Sequence, residues 1–326
     1  MRLLLAPMEG LLDDVLRAVL SRIGGYDFAV SEFVRVTDTV LPHRCFRRIV
    51  PELIHGSRAV GGMPVRVQLL GSDPQALADN AAHLAALAPA AVDLNFGCPA
   101  PTVNRHRGGA VLLDEPELLH AIARAVRKAL PPELALTAKM RLGVADKGRA
   151  LECAQALSDG GVSELVVHAR TKVEGYRPPA HWEWVGLIAD VVPVPVVANG
   201  EVWTREDWLR CRAVSGVADV MLGRGAVSDP FLARRIRAEA VDDELVRAAE
   251  WASLLPLLAE FRDRVVAKVV AKHVAGRIKQ WCNLLRRRYV QAEALYQDLR
   301  PLSALVDIDQ VLTRHGAVAV ADRMAA

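Results

Sequence analysis

Eight short runs rich in Val, Ile and Leu alternate with segments of helical periodicity in the first 240 residues of the chain. Strands that are apolar on both faces and alternate with helices form parallel sheets that the helices cover. Eight such units match the (β/α)8 or TIM barrel, whose usual size is about 250 residues. The sequence therefore predicts an α/β protein with a TIM barrel, with strands at residues 3–7, 28–34, 65–71, 91–97, 135–143, 164–170, 194–201 and 218–225.

The chain changes character from residue 242 onward. Strand-like runs and Gly-rich turns disappear there, and Leu, Val and Ala recur at helical spacing. We therefore expect a TIM-barrel catalytic domain at residues 1–241, followed by a bundle-like helical domain at residues 242–326. With 52% hydrophobic and 24% charged residues, the chain has the composition of a globular protein and not of a disordered one.

The five cysteines are widely spaced and include no CxxC pair. This pattern predicts neither a disulfide framework nor a metal site. We find no secretory leader, and no apolar stretch approaches the ~20 residues of a membrane span. We expect a cytoplasmic protein without a membrane partner, and nothing in the sequence indicates a protein partner.

Polar residues cluster at the carboxyl ends of the predicted strands. In a TIM barrel these ends, with the loops that follow them, build the active site. The segment after the first strand and the ends of strands three to eight are the most polar. The residues concerned are Pro7, Met8, Glu9, Gln68, Asn95, Cys98, Lys139, His168, Asn199, Gly200, Glu201, Gly223 and Arg224.

The tails of predicted strands seven and eight suit a phosphate. The backbone amides of Gly200 and Gly223 can turn toward an anion, and Arg224 adds positive charge. This end of a TIM barrel frequently binds phosphate. Glycines also form tight strand–helix turns, which would explain either tail alone. Both tails together favour a phosphorylated ligand.

Lys139 lies within an apolar strand, where an ammonium group needs an acceptor because its removal from water is costly. One possible acceptor is a barrel carboxylate, Glu9 or Asp93. The other is the pyrimidine edge of a flavin, where negative charge accumulates on reduction and where Gln68 could bond the amide-like atoms. We favour the flavin.

Cys98 differs from the other cysteines in its position, because it directly follows predicted strand four on a turn flanked by Gly97 and Pro99. Cys153 and Cys211 fall in helical segments and are expected to be small buried hydrophobic residues. A thiol on a rigid turn at the mouth of a barrel can act as a nucleophile or a proton donor. Cys98 is therefore the predicted catalytic residue.

Residues 262–288 are strongly basic, with nine Lys and Arg residues and one acid, a net charge of +8 in a chain whose total is +3. On one continuous helix, Lys268, Lys272, Lys279 and Arg286 would form a stripe, with Arg277 on the opposite side. Such a stripe is usually a solvated face, but the scarcity of acids suits a polyanion such as RNA.

Nine segments of the sequence resemble the tRNA-dihydrouridine synthases over essentially the whole chain. The most specific are DLNFGCP, which contains Cys98, and HART, which begins at His168. SEFVRV, GYR and RIKQW are most similar to the class C branch, the tRNA-dihydrouridine(16) synthases. The nine segments are APMEG, EFVRV, VRVQLLG, DLNFGCPAPTV, KMRLG, VHARTKVEGY, VVANGEV, VMLGRGA and GRIKQW.

The resemblance implies an activity. The protein would reduce the C5=C6 bond of a uridine in the tRNA D-loop, at position 16, with FMN in the barrel mouth and NADPH as reductant. In this family the reduced flavin delivers a hydride to C6 of uracil. The cysteine of the GCP motif, here Cys98, donates the proton to C5.

The resemblance also implies a role for each remaining candidate. The residues that would border the flavin ring are Pro7, Met8, Glu9, Gln68 and Lys139. Those that would bind its ribityl phosphate end are His168, Asn199, Gly200, Glu201, Gly223 and Arg224. Those that would contact the substrate are Arg35, Asn95 and Tyr176 in the barrel and Arg277, Lys279 and Arg300 in the helical domain.

Two other functions fit parts of the sequence. An FMN barrel that acts on a free pyrimidine would need the same lysine, cysteine and phosphate site, but not a basic helical domain. A tRNA-binding protein with an inactive barrel would need the basic domain, but neither Cys98 nor Lys139. Activity on free uracil or dihydroorotate without RNA would indicate the first, and a colourless protein the second.

Overall fold

The computed structural model of the chain describes residues 1–240 and 242–317. It contains the strands β1 (Leu3–Leu5), β2 (Phe28–Arg35), β3 (Val65–Leu70), β4 (Val92–Phe96), β5 (Leu136–Arg141), β6 (Leu165–His168), β7 (Val196–Asn199) and β8 (Val220–Leu222). Each overlaps one predicted segment. They pair in parallel and in chain order, and β8 closes the ring on β1. The predicted TIM barrel is confirmed.

The strands are apolar because both of their faces are covered. All five residues of β4 and all four residues of β6 and of β7 are buried. A cluster of buried residues from five strands and the end of β1 fills part of the barrel: Leu4, Ala6, Phe28, Val30, Val166, Val197 and Met221. Continuous apolar runs of this kind are typical of parallel strands.

The described residues also form fourteen α-helices: α1 (Asp14–Ile23), α2 (His43–Ile49), α3 (Pro74–Ala85), α4 (Pro101–Arg105), α5 (Pro116–Ala129), α6 (Ala150–Asp159), α7 (Trp182–Val191), α8 (Arg205–Ser215), α9 (Arg224–Ser228), α10 (Leu232–Ala238), α11 (Glu244–Lys268), α12 (Ala271–Leu285), α13 (Val290–Leu299) and α14 (Leu305–Arg314). Local capping defines several of their starts. Asp73 accepts a hydrogen bond from the amide of Ala76, and Thr204 forms a capping box with Asp207.

The chain divides into two compact units. The barrel unit comprises Met1–Asp14 and Tyr26–Gly223, and the helical unit comprises Val15–Gly25 and the described residues from Arg224 onward. The predicted domain boundary between residues 241 and 242 falls at Val241, which lies outside the described residues, so that boundary stays a prediction. Within the described residues, no helix combines the length and apolar character needed to cross a bilayer.

The basic segment does not form the single helix that the stripe assumed. Helix α11 ends at Lys268, and α12 begins only at Ala271. Val269 and Val270 between them have extended backbone, as β-branched residues favour. The prediction of a four-residue stripe that includes Lys268 is therefore wrong. Helix α12 itself is continuous and includes Gly276, a residue type that often interrupts helices.

A buried ionic network links the elements of the helical unit. Arg235, whose side chain is 3% exposed, donates to both oxygens of Asp229 and to Glu250. Arg288 donates to Asp242 and Glu250. Burial alone would raise the pKa of Asp242, but hydrogen bonds from Arg288 and a second arginine lower it to about 2. The network joins Asp229, which follows α9, to the beginning of α11 and to the residue Arg288 that follows α12.

Candidate active site

The closed barrel brings the predicted site residues of the barrel unit to one edge. All eight strands are parallel, so their carboxyl ends share that edge. Register places Asn95 beside Lys139 on neighbouring strands, and His168 beside Asn199.

A chain of buried polar side chains connects β3, β4 and β5. Thr137 Oγ1 donates to Asp93 Oδ1 at 2.6 Å, and Gln68 Nε2 donates to Asp93 Oδ2 at 2.7 Å. Asn95 Nδ2 donates to Gln68 Oε1 at 2.7 Å. Burial raises the pKa of Asp93, and the two hydrogen bonds oppose that rise. Because Asp93 accepts from Gln68, it fixes which end of the Gln68 amide faces Asn95.

The same chain reaches the turn that contains Cys98. Asn95 Oδ1 accepts hydrogen bonds from the amides of Gly97 and Cys98, at 3.0 and 2.9 Å. On the other side of the turn, Asn104 Nδ2 donates to the carbonyl of Cys98 at 2.9 Å. The Cys98 backbone is therefore fixed from both directions.

Gly109 closes the space behind Cys98. Its φ is +69°, and a Cβ there would lie 2.7 Å from the carbonyl oxygen of Cys98 and 3.0 Å from its Cβ. Only glycine adopts this backbone readily and fits this space. Part of the rigidity of the Cys98 turn thus comes from a residue eleven positions later in the sequence.

The thiol of Cys98 is half-buried, whereas Cys153, Cys211 and Cys282 are buried. Burial raises the pKa of the Cys98 thiol, and the charge of Glu9 raises it further. A hydrogen bond from the backbone at Ala100 opposes this rise, and so do the positive charges of Arg141 and Arg35. The thiol is therefore protonated at neutral pH and lies close to groups that favour its anion.

Lys139 lies at this edge without an acceptor among the described residues. Among the residues that the structure describes, its Nζ makes neither a hydrogen bond nor an ion pair, so the carboxylates of Glu9 and Asp93 do not pair with it. Burial and the nearby charge of Arg141 lower the pKa of Lys139 to about 7, against the attraction of Asp93. An anionic or carbonyl-rich ligand would relieve this cost.

Arg141 is a buried residue that binds several loops of this edge. It is 2% exposed, and it donates to the carbonyls of Gly97, Thr171 and Gly175. Its guanidinium lies 5.3 Å from the centre of the Tyr176 ring, which is itself 55% exposed. Arg141 therefore fixes both the turn that contains Cys98 and the loop that contains Tyr176.

Arg170 and Glu201 form an ion pair at the end of β6 and β7. Arg170 is fully buried, and it also donates to the carbonyls of Arg177 and Pro179. The other carboxylate oxygen of Glu201 accepts from Trp203 Nε1. Both oxygens of Glu201 thus have protein donors, and its role as a ligand for the cofactor stays a prediction.

Two backbone amides directly follow β7 and β8, those of Gly200 and Gly223. Asn199 Nδ2 donates to the carbonyl of Met221, and within the described residues the amides of Gly200 and Gly223 have no hydrogen-bond partner. Gly200 has a φ of +116°, and a Cβ there would lie 2.8 Å from His168 Cδ2. The two free amides form a candidate anion site.

The remaining predicted cofactor residues occupy the adjoining tails. Pro7 and Met8 are half-buried after β1, and a Cβ on Gly223 would lie 3.8 Å from Met8 Sδ. Glu9 is exposed at the same edge, and Arg35 is exposed as the last residue of β2. Arg224 begins α9 in the helical unit, and its predicted role in binding phosphate stays a prediction.

The three residues expected to contact RNA in the helical unit have different surroundings. Arg277 donates to Gln280, and its guanidinium lies 5.0 Å from the ring centre of Phe261. Lys279 Nζ donates to the carbonyl of Leu302 at 2.8 Å, just beyond the end of α13, while Arg300 is exposed there. Lys279 thus also stabilises the carboxyl end of a helix.

Known proteins are similar to this chain both in sequence and in fold. A sequence model described as dihydrouridine synthase matches residues 4–305. The chain belongs to the dihydrouridine synthase family. Its fold is also similar to a solved old yellow enzyme homologue from Zymomonas mobilis, with a TM-score of 0.51 at 14% identity over 74% of this chain and 90% of that one.

Individual members of the dihydrouridine synthase family are similar along nearly the whole chain. The tRNA-dihydrouridine(16) synthase of Aquipseudomonas alcaligenes is 56% identical over 96% of this chain and 99% of its own. The enzyme of the same name from Pseudomonas putida is 57% identical over 92% of this chain and 93% of its own.

The residues at the edge of this dihydrouridine synthase barrel fit a flavin mononucleotide. In the part of the chain that the structure describes, neither the ammonium of Lys139 nor the amides of Gly200 and Gly223 have an acceptor. Gln68 has one amide hydrogen left after its bond to Asp93. A ring with carbonyl and imide groups and one phosphate would complete these three sets of contacts.

Asp93, Arg141 and Arg170 contribute more to the site than the sequence patterns indicate. The sequence offers Asp93 only as a possible partner of Lys139, whereas in the structure it orients Gln68. Arg141 and Arg170 occur in the KMRLG and HART segments without a predicted role, and in the structure each binds several loop carbonyls. Their positions within KMRLG and HART were the available signals, but their partners lie in loops that no local pattern predicts.

Proposed function

We propose that this chain reduces uridine 16 of the tRNA D-loop to dihydrouridine, with FMN as cofactor and NADPH as reductant. The relatives named tRNA-dihydrouridine(16) synthase support the reaction and the position. We further propose that residues 1–241 are the catalytic domain, that 242–326 bind tRNA, and that the enzyme is cytoplasmic. The observation on which the proposal most depends is the turn of Cys98, which Asn95 and Asn104 hold at the same edge as Lys139.

Cys98 is suited to donating a proton. Its raised pKa keeps the thiol in the acid form at neutral pH, which is the form that protonation of uracil C5 requires. Once the proton has left, the backbone at Ala100 and the positive charge of Arg141 stabilise the thiolate. The bonds from Asn95 and Asn104 keep the backbone of the donor in place throughout.

The residues around the cofactor would bind it at both ends. Lys139 and Gln68 would contact the pyrimidine edge, while the amides of Gly200 and Gly223 would bind the phosphate. Bound FMN would supply the hydride for C6 of uracil and would itself be reduced by NADPH. Negative charge on the ring would raise the pKa of Lys139 back toward its ordinary value.

A uridine inside a folded tRNA must leave its stack to enter a barrel. Arg35 and Tyr176 are exposed at the carboxyl edge, where such an extruded base would enter. An aromatic face suits stacking on a base, and a guanidinium suits its phosphate. Asn95 would contact the base beside Cys98.

The direct test uses the purified protein. We expect a yellow protein that releases FMN on denaturation and that forms dihydrouridine at position 16 of an unmodified tRNA when NADPH is added. Release of FAD would contradict the cofactor. Turnover of free uracil or dihydroorotate without RNA would contradict the substrate, and a colourless protein that FMN cannot reconstitute would indicate an inactive barrel.

A further inference from the structure

Helix α2 exposes three arginines on one face. Arg44, Arg47 and Arg48 are spaced i, i+3 and i+4, so they share a side of the helix, and all three are exposed. Phe46 is fully buried and anchors the helix to the barrel unit. Within the described residues, none of the three guanidinium groups has a hydrogen-bond or ion-pair partner.

This lack of partners distinguishes α2 from several other basic positions of the barrel unit. Arg66 pairs with Glu164, and Arg149 pairs with Glu152. The nearest acid that follows α2 in sequence, Glu52, is 6% exposed and therefore turned inward. Neighbouring like charges repel each other, so an exposed cluster without acids fits an external anion better than internal pairing.

The arginine face is part of a firmly attached segment. The rings of His43 and His83 stack at 4.0 Å, which links the start of α2 to α3. Asn80 of α3 donates to the carbonyl of Thr39 and accepts from the amide of Leu41, in the loop before α2. The three arginines thus belong to a loop–helix segment, residues 36–49, that α3 holds in place without any ligand.

The loop–helix segment that carries the three arginines begins at the carboxyl edge of the barrel. The loop at residues 36–42 joins the end of β2 to α2, and strand–helix connections of this kind lie at the edge that contains the active site. Arg35, the last residue of β2, is close enough to Cys98 for its charge to lower the pKa of the thiol. Arg35 and the arginine face of α2 therefore lie at the two ends of one loop, which carries the single charged residue Asp38.

We propose that the face of α2 formed by Arg44, Arg47 and Arg48 binds the phosphate backbone of the tRNA, so that the barrel unit contacts RNA independently of the basic segment at residues 262–288. The proposal rests on the proposed function, because it names a second contact for the same substrate. Guanidinium groups bind phosphate through paired N–H donors. Contacts of this type orient a nucleic acid without reading its sequence.

The test compares two double variants of the full-length flavin-loaded enzyme. Arg44→Gln/Arg48→Gln removes two exposed charges at i, i+4 from α2. Arg124→Gln/Lys128→Gln removes two exposed charges at the same spacing from α5, where both residues also lack partners within the described chain. The dissociation constant for tRNA is measured at several salt concentrations, and circular dichroism and the flavin spectrum report on folding.

The α2 variant should bind tRNA at least several-fold more weakly, and its log–log salt slope should fall by about 0.7–0.9 per lost phosphate contact. The α5 variant should match the wild type. Equal losses in both variants, or no loss in the α2 variant, would overturn the proposal. If the wild type reduces tRNA while the α2 variant is unaffected, only this inference fails; if the wild type neither binds nor reduces tRNA, the proposed function fails with it.

Discussion

Gln68 Nε2 donates to Asp93 Oδ2 at 2.7 Å inside the barrel, and this bond determines how Gln68 faces Asn95. Replacing Asp93 with Leu should therefore leave the Gln68 amide without its acceptor, at a cost of about 1–3 kcal/mol in stability. The loss should also loosen the Gly97–Cys98 turn, which Asn95 holds. We expect faster hydrogen exchange at those two amides and slower turnover on tRNA.

Asp93→Asn is the matched variant for this prediction. Its amide oxygen can still accept from Gln68, because the hydroxyl of Thr137 can accept the new N–H. We expect near-normal exchange and turnover, and adding Thr137→Val should abolish that rescue. If Asp93→Asn were as defective as Asp93→Leu, the charge of Asp93 and not its hydrogen bonding would be what the site requires.

Cys98→Ala should separate the two half-reactions. The variant should retain its flavin and its reduction by NADPH, because the thiol is assigned only to protonating C5, while turnover on tRNA should fall by about 10²-fold or more. Stopped-flow absorbance measures each half-reaction. Cys153→Ala is the control, since burial raises the pKa of that thiol to about 12 and its side chain is 1% exposed. Equal damage from both replacements would show that Cys98 has no special role.

Cofactor binding should depend on pH through Lys139. Its pKa is lowered to about 7 in the chain alone, and a flavin whose pyrimidine carbonyls accept hydrogen bonds from the ammonium should raise it, so binding above pH 7 takes up a proton. Affinity for FMN should then fall as the pH rises from 7 to 9, by up to about tenfold per unit. Calorimetry in buffers of different ionisation enthalpy measures the uptake. Lys139→Met should bind more weakly with a flat profile, and a flat profile in the wild type would refute the assignment.

Arg235→Met should strongly destabilise the helical unit. It removes the shortest ion pairs of Asp229 and Glu250 and leaves both buried carboxylates with only the longer ion pairs of Arg288, so the cost should lie near the lower end of the range of about 3–5 kcal/mol typical of a broken buried pair. Arg210→Ala breaks a pair whose arginine is 68% exposed and should cost at most about 1 kcal/mol. Urea unfolding followed by far-ultraviolet circular dichroism compares them, and similar losses would show that burial of the Arg235 network contributes little.

The periodic features of the sequence were sufficient to predict the barrel. Eight apolar runs define the strands, and the residues at their ends define the edge where Lys139, Cys98 and Asn199 meet. What could not be predicted are contacts between distant segments. The link from Asp93 through Gln68 to Asn95 crosses strands, and the fit of Gly109 behind Cys98 depends on a loop conformation.

The basic segment shows a different limit. Charge counting correctly located the excess of Lys and Arg, but helical periodicity could not reveal that two valines separate Lys268 from α12. The three arginines of α2 are equally visible in the sequence. Only the structure, however, shows that its three arginines share an exposed face and have no partners among residues 1–240 and 242–317.

Mapping dihydrouridine in tRNA from a strain that lacks this protein tests the central claim most directly. We predict that dihydrouridine disappears at position 16, that other D-loop positions keep it, and that the wild-type gene restores it while one encoding Cys98→Ala does not. Loss only at another position would contradict the assignment to uridine 16. An unchanged map at every position would contradict the proposed function itself.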